Sequence, residues 1–117
     1  MNNSLLNNID ANLNRALAVL ENKLKHLFKE KLRKIILYGS YARKDYDNES
    51  DVDILVIINE NSLKKYNKQL SQIELELFSK FGLLFSIIPE NETYYLNNSD
   101  LLPFFRSIKN EGIPVYG

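Results

Sequence analysis

Cysteine is absent from the chain, which excludes disulfides and thiolate metal sites and leaves the redox compartment open. Net charge is missing too. Fifteen Lys and Arg balance fifteen Asp and Glu, without the basic excess of a dedicated nucleic-acid grip. No apolar run exceeds five residues, far below the ~20 needed to span a bilayer. The opening segment, MNNSLLNNIDANLN, lacks the basic start and continuous apolar stretch of a secretory leader. Cytoplasmic residence without membrane attachment is the expectation. There is no internal repeat, linker or low-complexity segment. The single histidine, His26, sits in a helical pattern with no acid partner, as a surface residue would.

The rest is ordinary globular material. With 117 residues, 44% apolar and 26% charged, the chain is expected to form one domain over 1–117. Zero net charge favours association, a first hint of a partner. Leu5, Leu6, Ile9, Leu13, Leu17, Leu20, Leu24, Leu27 and Phe28 recur at spacings of three and four, which predicts an amphipathic helix from Ser4, its candidate cap, to Lys29. Lys34 to Tyr38 reads as a short buried strand. Asp51 to Ile58 reads as a second one, central because both its faces are apolar after the acids. A second helix follows over Leu63 to Phe81, ended by Gly82. A third strand is expected over Leu83 to Ile88, stopped by Pro89. Then come a helical turn over Glu90 to Asn97, a helix from Ser99 to Asn110, and an extended tail. The loop between the first two strands has no room for a crossover helix, so they are expected to pair antiparallel.

That pairing gives one motif its meaning. Gly39-Ser40 ends the first strand, and after ten residues Asp51-Val52-Asp53 opens the second. Two carboxylates two residues apart on a strand share a face and repel unless a proton or cation intervenes. A hard divalent cation such as Mg²⁺ takes such oxygen ligands. A Gly-Ser turn can offer backbone N–H groups and a hydroxyl to phosphate. Metal and phosphate cradle together imply a nucleotide. By average usage, the combined pattern arises by chance in roughly one such chain per thousand.

The string LYGSYARKDYDNESDVDILV resembles the signature of minimal nucleotidyltransferases of the DNA polymerase beta-like superfamily. Gly39, Ser40, Ala42, Arg43, Ser50, Asp51, Asp53 and Val56 match that pattern, and FFRSIKNEGIPVYG resembles the tail of many members. The resemblance implies an α+β polymerase beta-like fold, a small mixed sheet packed by helices. It implies that Asp51 and Asp53 are catalytic and bind Mg²⁺, bridging it to the triphosphate of ATP. Gly39 and Ser40 would hold the phosphates, with Arg43 either clamping phosphate or paired to an acid of its own loop. Small members are antitoxins that transfer AMP to a HEPN-type toxin. The implied partner is therefore such a toxin, in a hetero-oligomer that supplies the acceptor surface this short chain lacks.

Two departures from the family pattern stand out. Lys44 occupies a position usually held by glycine, which predicts a different loop course. Active members also carry a third carboxylate on a later strand, where this chain has LLFSII, with Ser86 the expected occupant. Glu90 and Glu92 lie just beyond, as acids of a helical first turn. A catalytically degenerate nucleotide- or partner-binding module is therefore an alternative. An unrelated α/β domain with solvated strand-end acids is a third. Tyr94-Tyr95 and Phe104-Phe105 are expected to serve packing, the latter pair anchoring the last helix. The basic run Lys29, Lys31, Arg33, Lys34 is expected to be a solvated helix end.

Overall fold

A computed structural model describes residues 4–117, with side chains from residue 11 onward. Helix α1 spans Ser4–Phe28 and runs through a short helical turn into strand β1, Leu32–Tyr38. The side chains of the expected cap Ser4 and of Leu5, Leu6 and Ile9 lie outside what the structure describes. A single helical turn, α2, covers Ser40–Arg43, and strand β2 covers Val52–Ile58. Helix α3 is Asn67–Phe81 and β3 is Phe85–Asn91. Helices α4 (Glu92–Asn98) and α5 (Pro103–Glu111) lead to β4, Ile113–Tyr116.

The strands form one mixed sheet in the order β3-β2-β1-β4. β1 pairs antiparallel with both β2 and β4, and β2 pairs parallel with β3. β2 is central, as its two-faced apolarity requires; Val52, Ile54, Leu55, Val56, Ile57 and Ile58 are all buried. Period-two alternation then sorts the core into two layers. Ile35, Leu37, Val52, Ile54, Val56, Phe85 and Ile87 face α1 and α3, meeting Leu13, Ala16, Leu20, Leu24, Leu70, Ile73 and Leu77. The helical stripe of α1 is thus spent on the chain's own sheet. Ile36, Leu55 and Ile57 face the other way, against Tyr95, Phe105 and Ile108 of α4 and α5. No described helix is long and apolar enough to cross a membrane.

Several boundaries differ from the sequence expectation, and three of the differences have a clear physical reason. Pro89 does not stop β3; it sits within the strand, opposite Val56. β3 is an edge strand, where proline is tolerated because its missing N–H faces away from the sheet. Two residues earlier, the equivalent N–H of Ile87 is accepted by the Glu74 carboxylate at 2.8 Å, which shows the direction in which these groups point. The last helix begins at Pro103, not Ser99. Proline favours the first helical position and pushes the residue before it into extended backbone, and Leu102 has φ −90° and ψ 127°. The tail is a paired strand rather than a free extension, with Leu37 opposite Ile113.

Candidate active site

The antiparallel register of β1 and β2 places Tyr38 opposite Asp53. Gly39 therefore leaves the sheet beside Asp53. It has φ 75° and ψ −155°, a conformation essentially restricted to glycine. A Cβ at Gly39 would overlap the Asp53 carboxylate and lie 3.1 Å from its Cγ and 3.3 Å from its Cβ. Backbone and carboxylate thus touch because nothing stands between them. The carbonyl of Gly39 then accepts from the N–H groups of Ala42 and Arg43, both at 3.1 Å. This winds Ser40–Arg43 into a turn whose opening amides are those that any helix leaves without internal partners.

Asp51 is exposed at the entrance to β2, and Asp53 is half-buried one residue inside it. Burial raises the Asp53 carboxyl above its ordinary range, the Asp51 charge raises it further, and Arg43 partly counters both. The two acids are therefore close enough to repel, the condition a divalent cation relieves. Among the described residues no cluster of three or more His, Asp or Glu could hold a metal. Asp51 and Asp53 fit a hard cation as two oxygen donors, with the remaining positions left to ligand oxygens and water.

Arg43 is committed elsewhere. Its Nε donates to Asp45 at 3.1 Å, and its Nη1 lies 3.8 Å from Glu111. Of the two expectations for this side chain, pairing within the loop is the one observed. At Lys44 the structure shows what the departure costs. This residue adopts the left-handed backbone, φ 64° and ψ 29°, so lysine follows a course that glycine would follow at lower cost.

The parallel register of β2 and β3 sets Ser86 beside Asp53. Glu90 lies four residues further along β3, about 13 Å away at the strand rise, and its carboxylate accepts from the Asn91 N–H. Glu92 pairs with Arg33 at 3.1 Å. Neither reaches the acids. On the opposite flank, Tyr38 has its hydroxyl pushed up to about 12, first by burial and then by the Asp53 charge. Both neighbours of Asp53 in the sheet are therefore neutral hydroxyl side chains at pH 7.

The sequence reading missed the aromatic frame of this corner. Tyr41 stacks on Tyr46, with centroids 4.1 Å apart and planes at 9°, bracing the loop that carries Asp51. The two phenylalanines divide the anchoring of α5: Phe105 is buried, while Phe104 is 46% exposed and rests on Tyr38. The signal was available for Tyr38, which shares parity with the inward-facing Ile36. For Phe104 it was not, since adjacent phenylalanines do not reveal which one is buried. Tyr94 is exposed and Tyr95 buried, both packed on Phe105. In the basic run, Lys31 pairs with Glu60 and Arg33 with Glu92. His26 is exposed.

A mixed sheet with a Gly-Ser turn closing on two strand-entry aspartates defines a nucleotidyltransferase-type domain. The sequence profile of the nucleotidyltransferase domain matches residues 17–110, and the chain belongs to that family. Two Methanocaldococcus jannaschii proteins carry the provisional name protein adenylyltransferase. One is 35% identical over 89 residues, 76% of this chain and 84% of its own. The other is 32% identical over 105 residues, 90% of this chain and 99% of its own. A solved structure provisionally described as a minimal nucleotidyltransferase has a TM-score of 0.59 at 23% identity, covering 90% of this chain and 93% of that one. A chain of a toxin-antitoxin structure with AMP-PNP has a TM-score of 0.55 at 20% identity, covering 83% and 73%. A chain of the complex between a tri-AMPylated Shewanella oneidensis HEPN toxin and its MNT antitoxin has a TM-score of 0.55 at 17% identity, covering 92% and 71%. At these identities the structures speak for the fold, which is the minimal nucleotidyltransferase fold.

Proposed function

We propose that this protein transfers AMP from Mg-ATP to a hydroxyl of a partner protein, as the antitoxin of a HEPN-type toxin-antitoxin pair. The observation that supports the reading is the close approach of the Gly39 backbone to the Asp53 carboxylate, which brings the turn and this acid together. The provisional name of the two archaeal relatives and the toxin complexes among the structural neighbours support it.

In this reading Asp51 and Asp53 hold Mg²⁺, which supplies neutralisation of charge on the phosphates. Gly39 and Ser40 position the β- and γ-phosphates by close backbone approach. Arg43 reaches phosphate only by exchanging its pair with Asp45, two exposed groups whose mutual hold is worth little. The acceptor oxygen forms a bond to the α-phosphorus, the bond to the bridging oxygen breaks, pyrophosphate leaves and the acceptor's proton passes to water. The test is incubation with α-labelled ATP, Mg²⁺ and the HEPN-type partner. Label is expected on the partner and is expected to vanish with Asp53→Ala. A folded wild type that transfers nothing rejects catalysis on that partner.

Ser86 beside Asp53 favours a second reading, in which the domain binds nucleotide or partner with little chemistry. Serine is a poor metal ligand and a poor base at neutral pH. Ser86→Asp would then create or greatly raise transfer. Full activity in the wild type, lost in Asp53→Ala, rejects this reading.

A further inference from the structure

Large aromatic side chains usually spend their area in a core. Phe104 leaves 46% of its surface exposed, yet it is not loose. Its ring meets Tyr38 edge-on, with centroids 5.5 Å apart and planes at 87°, and lies tilted against Phe105 at 5.8 Å. Phe105 is buried among Ile36, Leu55 and Ile57, so the exposed ring stands on a fixed base. Tyr38 is the sheet partner of Asp53, and facing residues of an antiparallel pair lie about 5 Å apart at Cα. One tyrosine thus separates an exposed, braced aromatic surface from the carboxylate assigned to the cation.

We propose that Phe104, backed by Tyr38, is the platform on which the base of the nucleotide stacks. The proposal rests on the nucleotidyl-transfer reading and adds the contact that holds the nucleoside end of the substrate. A triphosphate gripped at Gly39, Ser40, Asp51 and Asp53 leaves its ribose and base to extend along one wall of the cleft. The loop side carries Asp45, Asp47, Glu49 and Asp51, and its ring, Tyr46, is already stacked on the buried Tyr41. The β3 wall offers Ser86 and then Ile88, without a ring. The α5 wall offers Phe104. Of the two exposed rings on α4 and α5, Tyr94 and Phe104, Tyr94 meets Phe105 and Phe104 meets Tyr38. A face that served only a protein partner would not need its ring braced beside the catalytic acids.

Base stacking on an aromatic side chain is sequence-tolerant, and its loss on alanine substitution corresponds to roughly five- to 150-fold in affinity. The test is calorimetry of the wild type, Phe104→Ala and Phe104→Leu with Mg-ATP and with Mg-tripolyphosphate, which has the phosphates but no base. Phe104→Ala is expected to weaken Mg-ATP about tenfold or more and to leave Mg-tripolyphosphate unchanged. Phe104→Leu keeps apolar bulk and packing but lacks a π face, and is expected to weaken Mg-ATP as well; Phe104→Trp is expected to restore it. If the wild type binds both ligands and both the alanine and leucine variants match it on Mg-ATP, the platform is refuted while the transfer reading stands. Equal weakening of both ligands refutes it too. A wild type that binds neither ligand overturns the transfer reading and the platform with it.

Discussion

Replacing Gly39 by alanine attacks the one contact on which the site depends. Two costs arise. At φ 75° and ψ −155° a non-glycine residue pays about 1–3 kcal/mol of backbone strain. The new methyl also meets Asp53, whose Cγ and Cβ stand at 3.1 and 3.3 Å from it. Rotating the Asp53 side chain about χ1 moves Cγ and its oxygens away but leaves Cβ in place, so the strand or the turn must shift. Against this, alanine restricts the unfolded chain by about 0.4–1 kcal/mol. The net expectation is a loss of about 2–3 kcal/mol. Unfolding entropy for a chain of 117 residues is about 0.25 kcal/mol/K, so Tm is expected to fall by about 8–12 °C. Gly82→Ala is the control: Gly82 is also left-handed, φ 70°, but a Cβ there meets nothing within 4 Å. It carries the conformational cost alone, about 1 kcal/mol. Thermal unfolding followed by circular dichroism gives both values, and calorimetry with Mg-ATP gives the functional loss. If Gly39→Ala melts within about 2 °C of wild type, or no lower than Gly82→Ala, the close packing of turn and acid is refuted.

Three further outcomes are expected. Asp53→Asn is expected to melt above wild type at pH 7 in chelator, because burial and Asp51 raise the folded carboxyl above its ordinary value; stability lost as pH rises through that raised value is retained by the amide, and the gap closes below pH ~3.8. A variant no more stable than wild type at pH 7 would contradict this. Glu60 is held down to about 2, chiefly by Lys31, then Lys65 and the Ser62 amide, so it stabilises above pH ~4.5 and its contribution fades as pH falls towards 2. Glu60→Gln is expected to melt below wild type at pH 7, with the difference shrinking across that window in a pH series of melts. Lys44→Gly removes a left-handed lysine and, after the extra freedom of unfolded glycine, is expected to gain up to about 1 kcal/mol, some 4 °C in Tm. A drop in Tm would mean that the lysine side chain contributes more than its backbone costs.

The parts of this molecule legible in the sequence are those governed by periodicity. The stripe from Leu13 to Phe28 and the two-faced run Ile54–Ile58 dictated their burial, and the short loop after Arg43 dictated antiparallel pairing. The proximity of Gly39 to Asp53 followed from that pairing alone. Illegible features depended on what lies across space. Pro89 reads as a stop until the strand is known to be an edge. The left-handed backbone of Lys44 shows only once Ser40–Arg43 is seen to wind into a turn that Lys44 ends. The burial of Phe105 rather than Phe104 depends on where Pro103 starts the helix. The family pattern and the lone polar residue of LLFSII point to Ser86, but only the β2–β3 pairing sets it against Asp53.

The outer rim of β3 has a consequence of its own. Of its outward-pointing amides, that of Ile87 is capped by Glu74, that of Asn91 by Glu90, and Pro89 has none to give. A foreign strand arriving along Ile87–Asn91 would find no free amide there and two carboxylates to displace. That stretch of the border resists fibril-like growth, and what associates with it is recognised chiefly by side chains.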